Sequence, residues 1–161
     1  MLEPQRGCDS LRALSCLRRR HSWYYFESRS GTTYRIQIVD TAHQKYIGYI
    51  NLVGAPMAIS VDPTNSDLYV SIANKIYVYN VGACGCASVR RTLASPFTYA
   101  NVAIDRNNQH LIGWTQTYNT LGTLEWEFAD LNPQTGAVYR TYPPINSDDT
   151  TEYTVNTVLA Q

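Results

Sequence analysis

From Ser22 onward, apolar and polar residues alternate with a period near two rather than 3.6. Trp23-Tyr24-Tyr25-Phe26 and Tyr34-Arg35-Ile36-Gln37-Ile38-Val39 are aromatic or β-branched runs parted by Ser28-Arg29-Ser30-Gly31. That order reads as strand, glycine-containing turn, strand. Further runs cover residues 46–52, 57–61, 67–72, 75–80, 88–93, 99–104, 109–118, 123–131, 137–142 and 153–159. Ala73-Asn74 has the length of a tight hairpin turn, and Asp62-Pro63-Thr64-Asn65 has the composition of a turn. Many short strands and no helical period predict an all-β fold. Upstream the pattern changes. Leu11, Leu14 and Leu17 recur at three-residue intervals after Asp9-Ser10. This predicts a short helix with a capped start, in an N-terminal extension, helical or irregular, over residues 1–21.

Internal repetition narrows the architecture. Ile59-Ser60-Val61-Asp62-Pro63-Thr64-Asn65-Ser66-Asp67-Leu68-Tyr69 aligns without gaps on Val102-Ala103-Ile104-Asp105-Arg106-Asn107-Asn108-Gln109-His110-Leu111-Ile112, at an offset of 43. A second echo joins Val39-Asp40-Thr41-Ala42, Tyr79-Asn80-Val81-Gly82 and Leu131-Asn132-Pro133-Gln134, at offsets of 40 and 52. Four strands in about 40–50 residues is the arithmetic of a β-propeller blade. The expected fold is therefore an all-β, partial or oligomer-completed β-propeller of four-stranded antiparallel blades. Residues 22–52 give a partial blade without an innermost strand, 57–93 and 99–142 two complete blades, and 153–159 the inner strand of a further one. Closed propellers use roughly four to eight blades. The expectation is a fragment of a longer propeller, a protomer that pairs with copies of itself through unpaired blade edges, or a capped open array.

Composition and charge set limits on function. The 161 residues carry 13 basic and 13 acidic side chains, and 16% of residues are charged. A neutral chain lacks the basic footprint that non-specific nucleic-acid binding needs, so no nucleic-acid partner is expected. No apolar run is long enough for a transmembrane helix. The N-terminal segment is the exception to neutrality, with seven arginines in residues 1–35. It does not read as a secretory signal, because Arg18-Arg19-Arg20 follows the leucines instead of preceding an apolar run. Composition otherwise leans slightly toward an extracellular or cell-surface protein.

The repeat units resemble the YVTN and NHL classes of propeller repeat. The resemblance rests on Val39-Asp40-Thr41-Ala42, Tyr46-Ile47-Gly48-Tyr49-Ile50, Gly54-Ala55-Pro56, Ile59-Ser60-Val61-Asp62-Pro63 and Leu68-Tyr69-Val70, and spans roughly residues 33–142. The later repeat lacks the Gly-x-Pro loop, though Ser95-Pro96 lies nearby. Such propellers host lactone hydrolysis, redox cofactor binding and plain protein or glycan binding, so the resemblance implies an architecture and leaves the activity open.

The candidate chemistry is sparse. Cys8, Cys16, Cys84 and Cys86 lack zinc-finger spacing, and four cysteines allow three pairings. His21, His43 and His110 are scattered and read as turn residues, and no Gly-x-Ser-x-Gly elbow is present. Asp40, Asp62 and Asp105 end strands and recur with the repeat, which predicts turn capping. Tyr69, Tyr77, Tyr79, Tyr139 and Tyr142 are expected to pack between blades and strands. No catalytic, cofactor-binding or metal-ligating residue is assigned. The expected function is a non-enzymatic binding or structural module, with a protein or glycan partner, or a second copy, held by propeller loops or blade edges. Asn74, Tyr99, Asn101, Tyr118 and Asn119 are the candidate loop contacts. The alternative is a piece of a gluconolactonase-like propeller hydrolase.

Overall fold

The computed structural model describes residues 16–19, 22–28, 33–40, 43–62, 64–81, 87–98, 101–105 and 107–146, with the backbone alone for 16–28 and for Asn146. Cys8, Cys84, Cys86, His21, Tyr99 and the expected strand 153–159 lie outside them. Among the described residues, twelve strands form three antiparallel four-stranded sheets, each a meander in chain order. The first blade is β1 (Cys16–Arg19), β2 (Ser22–Ser28), β3 (Tyr34–Asp40) and β4 (Lys45–Leu52). The second is β5 (Ala58–Asp62), β6 (Asp67–Ile72), β7 (Lys75–Val81) and β8 (Ala87–Ala94). The third is β9 (Asn101–Asp105), β10 (His110–Tyr118), β11 (Leu124–Leu131) and β12 (Val138–Asn146). The inner strand of each blade neighbours the next: β5 lies between β1 and β9.

Of the expected N-terminal extension, residues 1–15, with Leu11 and Leu14, lie outside the described residues; residues 16–19 depart from the expectation. Leu17 belongs to strand β1, paired with Tyr24, and not to a helix. The first blade thus has four strands, and its inner strand comes from the segment expected to stand apart. The physical reason is the free edge of β2. Its backbone groups need partners, and strand pairing supplies them where three spaced leucines offer only a weak helical preference.

Two cores hold the blades face to face. Ile36, Ile38 and Ile50 of the first blade pack on Ile59, Val61, Leu68, Val70, Tyr79 and Val81 of the second. Tyr69, Ile76, Val78 and Leu93 of the second pack on Val102, Ile104, Leu111, Ala129 and Leu131 of the third. Both faces of β6 are covered, and all six of its residues are buried. A polar bond fixes the inner strands, where Ile104 N–H donates to Ser60 Oγ at 2.9 Å. The loop after β11 also leans on β8. Arg91 donates through Nη2 to the Pro133 carbonyl at 3.0 Å. Gly136, at φ 75°, comes so close that a Cβ there would stand 3.0 Å from Leu93 Cβ.

The repeat is stricter in three dimensions than in sequence. Leu68 pairs with Tyr79, Leu111 with Leu131 and Trp23 with Val39, so these pairs are equivalent. A bulge between the third and fourth strands recurs at the same place in each blade, at Ile38/Val39, Val78/Tyr79 and Asp130/Leu131. It leaves Ile47, Arg90 and Tyr139 as the extra residues of the outer strands. Bulges bend an outer strand and add twist, which the splayed edge of a blade requires.

Candidate functional site

Antiparallel order divides the loops between two rims. Inner strands end at the exit rim, where the first-to-second and third-to-fourth strand connections also lie. They start at the entry rim, beside the second-to-third hairpins and the links between blades.

The exit rim is occupied by its own turns. Asp62 Oδ1 accepts from Thr64 N–H at 2.8 Å and from Thr64 Oγ1 at 2.6 Å. Asp105 Oδ1 accepts from Asn107 N–H at 2.9 Å, and its Oδ2 accepts from Asn108 Nδ2 at 2.7 Å. The Asn108 amide, helped by the turn N–H groups, holds the Asp105 carboxyl below the usual carboxylate range. Each turn closes through a residue in the left-handed region, Ser66 at φ 71° and Gln109 at φ 54°, again 43 residues apart. Asp40 plays the same part, accepting from His43 N–H at 3.2 Å and facing His43 Nδ1 at 2.7 Å. The three aspartates are turn caps, as their recurrence predicts.

The corners above these turns diverge. In the second blade, Asp67 is fully buried and meets Arg91 at 2.7 Å and the bulge residue Arg90 at 3.2 Å. Arg91 also donates to Tyr69 Oη at 3.2 Å. Burial pushes the Tyr69 hydroxyl above the ordinary tyrosine range, against the opposing pull of Arg91. In the third blade, His110 replaces Asp67. Its Nδ1 lies 2.9 Å from Asp130 Oδ2, and its ring meets that of the bulge residue Tyr139 in a tilted contact, with centroids 4.8 Å apart. Among the described residues no cluster of three or more His, Cys, Asp or Glu is placed to hold a metal ion.

The entry rim is different. It carries exposed Val53 and Met57 between the first two blades, exposed Asn74, and the exposed Ile145 at the end of β12. Its main feature is the β10–β11 hairpin. The second blade's hairpin ladder ends at Ile72 and Lys75, whose counterparts are Thr115 and Glu127. In the third blade the ladder runs on through Gln116–Trp126, Thr117–Glu125 and Tyr118–Leu124. Three further pairs carry the arm about 10 Å past the neighbouring rim at the rise of an antiparallel strand. The nine residues of this extension are the difference between the repeat offsets of 43 and 52.

The arm has a polar side and a fastened tip. Thr117 Oγ1 donates to Glu127 Oε1 at 3.0 Å. Asn119 Nδ2 donates to Glu125 Oε1 at 2.8 Å, while Asn119 Oδ1 accepts from Leu121 and Thr123 N–H, each at 2.9 Å. So ordered, the tip presents Tyr118 at 75% exposure and Leu121 at 87%.

The structure thus sorts the sequence candidates. Asn74, Asn101, Tyr118 and Asn119 share the entry rim, and Tyr99 lies outside the described residues. Asn74 is the exposed turn residue whose carbonyl accepts from Ser95 N–H at 3.0 Å. Asn101 opens β9 and pairs with Trp114, half-buried. Asn119 organises the tip, and Tyr118 stands exposed beside it. Sequence reasoning missed Leu121, Val53, Met57 and Ile145. The mismatch between the two repeat offsets was the signal that could have located the arm.

No protein-family model and no curated protein matches this chain. Among solved structures it is similar to the WD40 domain of coronin from Toxoplasma gondii, with TM-score 0.55 and 8% identity, over 83% of this chain and 34% of that one. Hydrazine synthase of Kuenenia stuttgartiensis aligns with TM-score 0.44 and 16% identity, over 80% of this chain and 47% of that one. The chain spans about a third of the length of the coronin structure. The likeness is one of fold: propeller-type, four-stranded antiparallel blades.

Proposed function

We propose that this chain is a non-enzymatic binding module that engages a protein partner at the entry rim, with the β10–β11 arm as its main contact. The observation that carries this reading is the arm, which runs past the neighbouring rim and holds Tyr118 and Leu121 in water on a hydrogen-bonded tip. Large exposed apolar and tyrosine side chains gathered at one place favour a binding surface. The rim is favoured over the blade edges by the content of the outer strands. β12 carries Pro143 and Pro144, which offer no N–H to an added strand, and β8 carries Arg90 and Arg91. The YVTN- and NHL-like motifs suit a repeat scaffold that displays variable loops.

The test uses peptides selected from a displayed library on the immobilised chain. Tyr118→Ala and Leu121→Ser are expected to weaken the selected peptides at least about tenfold, as truncating interface anchors does. Val89→Thr, on an outer edge, should leave them unchanged. Peptides that ignore both arm substitutions would overturn the reading.

A further inference from the structure

The β10–β11 arm is acidic on one side only. Leu111 of β10 and Ala129 and Leu131 of β11 pack against the second blade. Side chains at even spacing along the same strands share that face. Thr115 and Thr117 on β10, and Glu127 and Glu125 on β11, therefore lie on it. Thr115 and Glu127 are level with the last pair of the second blade's hairpin, and Thr117 and Glu125 stand beyond it. Two half-buried carboxylates thus line the side of the arm that overhangs the second blade's rim.

Among the described residues no cation neutralises them. None of the basic side chains there makes an ion pair with Glu125 or Glu127. Lys75, at the second blade's own hairpin, alternates with Ile76, which faces the third blade. Lys75 is thus turned the other way, like Tyr77, which packs on the core shared with the first blade. Residues 115–127 hold two acidic and no basic side chains, a net charge of −2 in a chain whose formal net charge is zero. Like charges side by side on one strand face repel, a cost that a cation brought by a partner removes.

Neutral donors of the arm hold both carboxylates in place. Thr117 Oγ1 donates to Oε1 of Glu127, and Asn119 Nδ2 donates to Oε1 of Glu125. Oε2 of each has no hydrogen bond to a described residue. A carboxylate oriented in this way keeps one oxygen for a charged donor and has lost its rotamer freedom before binding. Asn119 also accepts from Leu121 N–H, so one side chain ties the acidic pair to the exposed apolar tip. Tyr118 alternates with Thr117 and lies on the opposite face.

We infer, on the reading of the arm as the contact, that its partner is a basic protein segment that presents an arginine or lysine beside an apolar side chain. The cation meets Glu125 and Glu127 at the overhang, and the apolar side chain covers Leu121. Charge complementarity selects this occupant. Arginine fits best, because its planar fork of five donors can meet two carboxylates at once. An acidic segment or a nucleic-acid backbone would set like charges together.

The test reads the charge of peptides selected from a random displayed library on the immobilised whole chain. The selected peptides should carry arginine or lysine next to an apolar residue, and should bind severalfold more weakly at high salt. Glu125→Gln with Glu127→Gln keeps acceptors for Thr117 and Asn119 and should weaken them at least about fivefold. Exchanging the peptide's cation for glutamine should cost as much, and the two changes together no more than either alone. Glu125→Lys with Glu127→Lys should turn selection toward acidic peptides. Should these variants fail to fold, the peptide exchange and the salt dependence decide alone. Peptides that weaken with Leu121→Ser yet are neutral or acidic, or that ignore salt and the glutamine pair, would overturn the basic partner and leave the arm as the contact. Peptides indifferent to both Leu121→Ser and Tyr118→Ala would overturn both.

Discussion

Single residues show where the repeat is a matter of chemistry and where it is one of position. Asp62 and Asp105 are equivalent in sequence, in φ pattern and in hydrogen bonding. Asp62→Ala and Asp105→Ala should each cost about 1 kcal/mol in urea unfolding, as lost caps do. Asp67 and His110 are equally equivalent in position, yet one anchors two arginines and the other makes a tilted ring contact with a tyrosine. No sequence pattern reveals that divergence, because the partners Arg90 and Tyr139 are set by a bulge in a strand pairing. The prediction at this corner is asymmetric. Asp67→Ala strands the guanidinium of largely buried Arg91 and should cost about 3 kcal/mol or more. Arg90→Ala, on the exposed side of the same pair, should cost less than about 1 kcal/mol. Gly136→Ala meets both a left-handed φ and the Leu93 side chain, so it should destabilise by at least about 1–2 kcal/mol.

At the scale of elements, period-two patterning locates eleven of the twelve described strands, because each needs only a local alternation to be legible. β1 is the exception. Cys16–Arg19 is short and flanked by spaced leucines, and it becomes a strand only through the edge of β2. The arm was visible only as extra length. Replacing Tyr118–Leu124 by a three-residue Gly-Asn-Gly turn shortens the arm and leaves the buried Trp126 in place. The shortened chain should keep its β-sheet circular dichroism while losing the selected peptides. Loss of the sheet signal would show that the arm supports the blade itself. The central strands also set the response to alkali. Burial raises both Tyr69 on β6 and Tyr79 on β7. A folded-state value above the unfolded one contributes stability that is complete below about pH 10 and is lost as pH rises through the raised value. Alkaline unfolding should therefore coincide with a cooperative step in phenolate absorbance. Smooth titration of all tyrosines near their ordinary value would contradict the burial of these two.

For the whole molecule, the account rests on three described blades packed face to face, with an exit rim occupied by its own turns and an entry rim that carries exposed apolar side chains. Repeat spacing made the four-stranded blades legible. The polar bond between inner strands was not, since Ser60 and Ile104 stand more than 40 positions apart. The most direct measurement of that arrangement is an NMR contact between the second and third blades. The Ile104 amide proton, donated to Ser60 Oγ, should show cross-relaxation to the Ser60 β protons. It should also exchange slowly with solvent and lose that protection in Ser60→Ala. An Ile104 amide with contacts only to β10, and with protection indifferent to residue 60, would mean that the sheets do not stack as propeller blades.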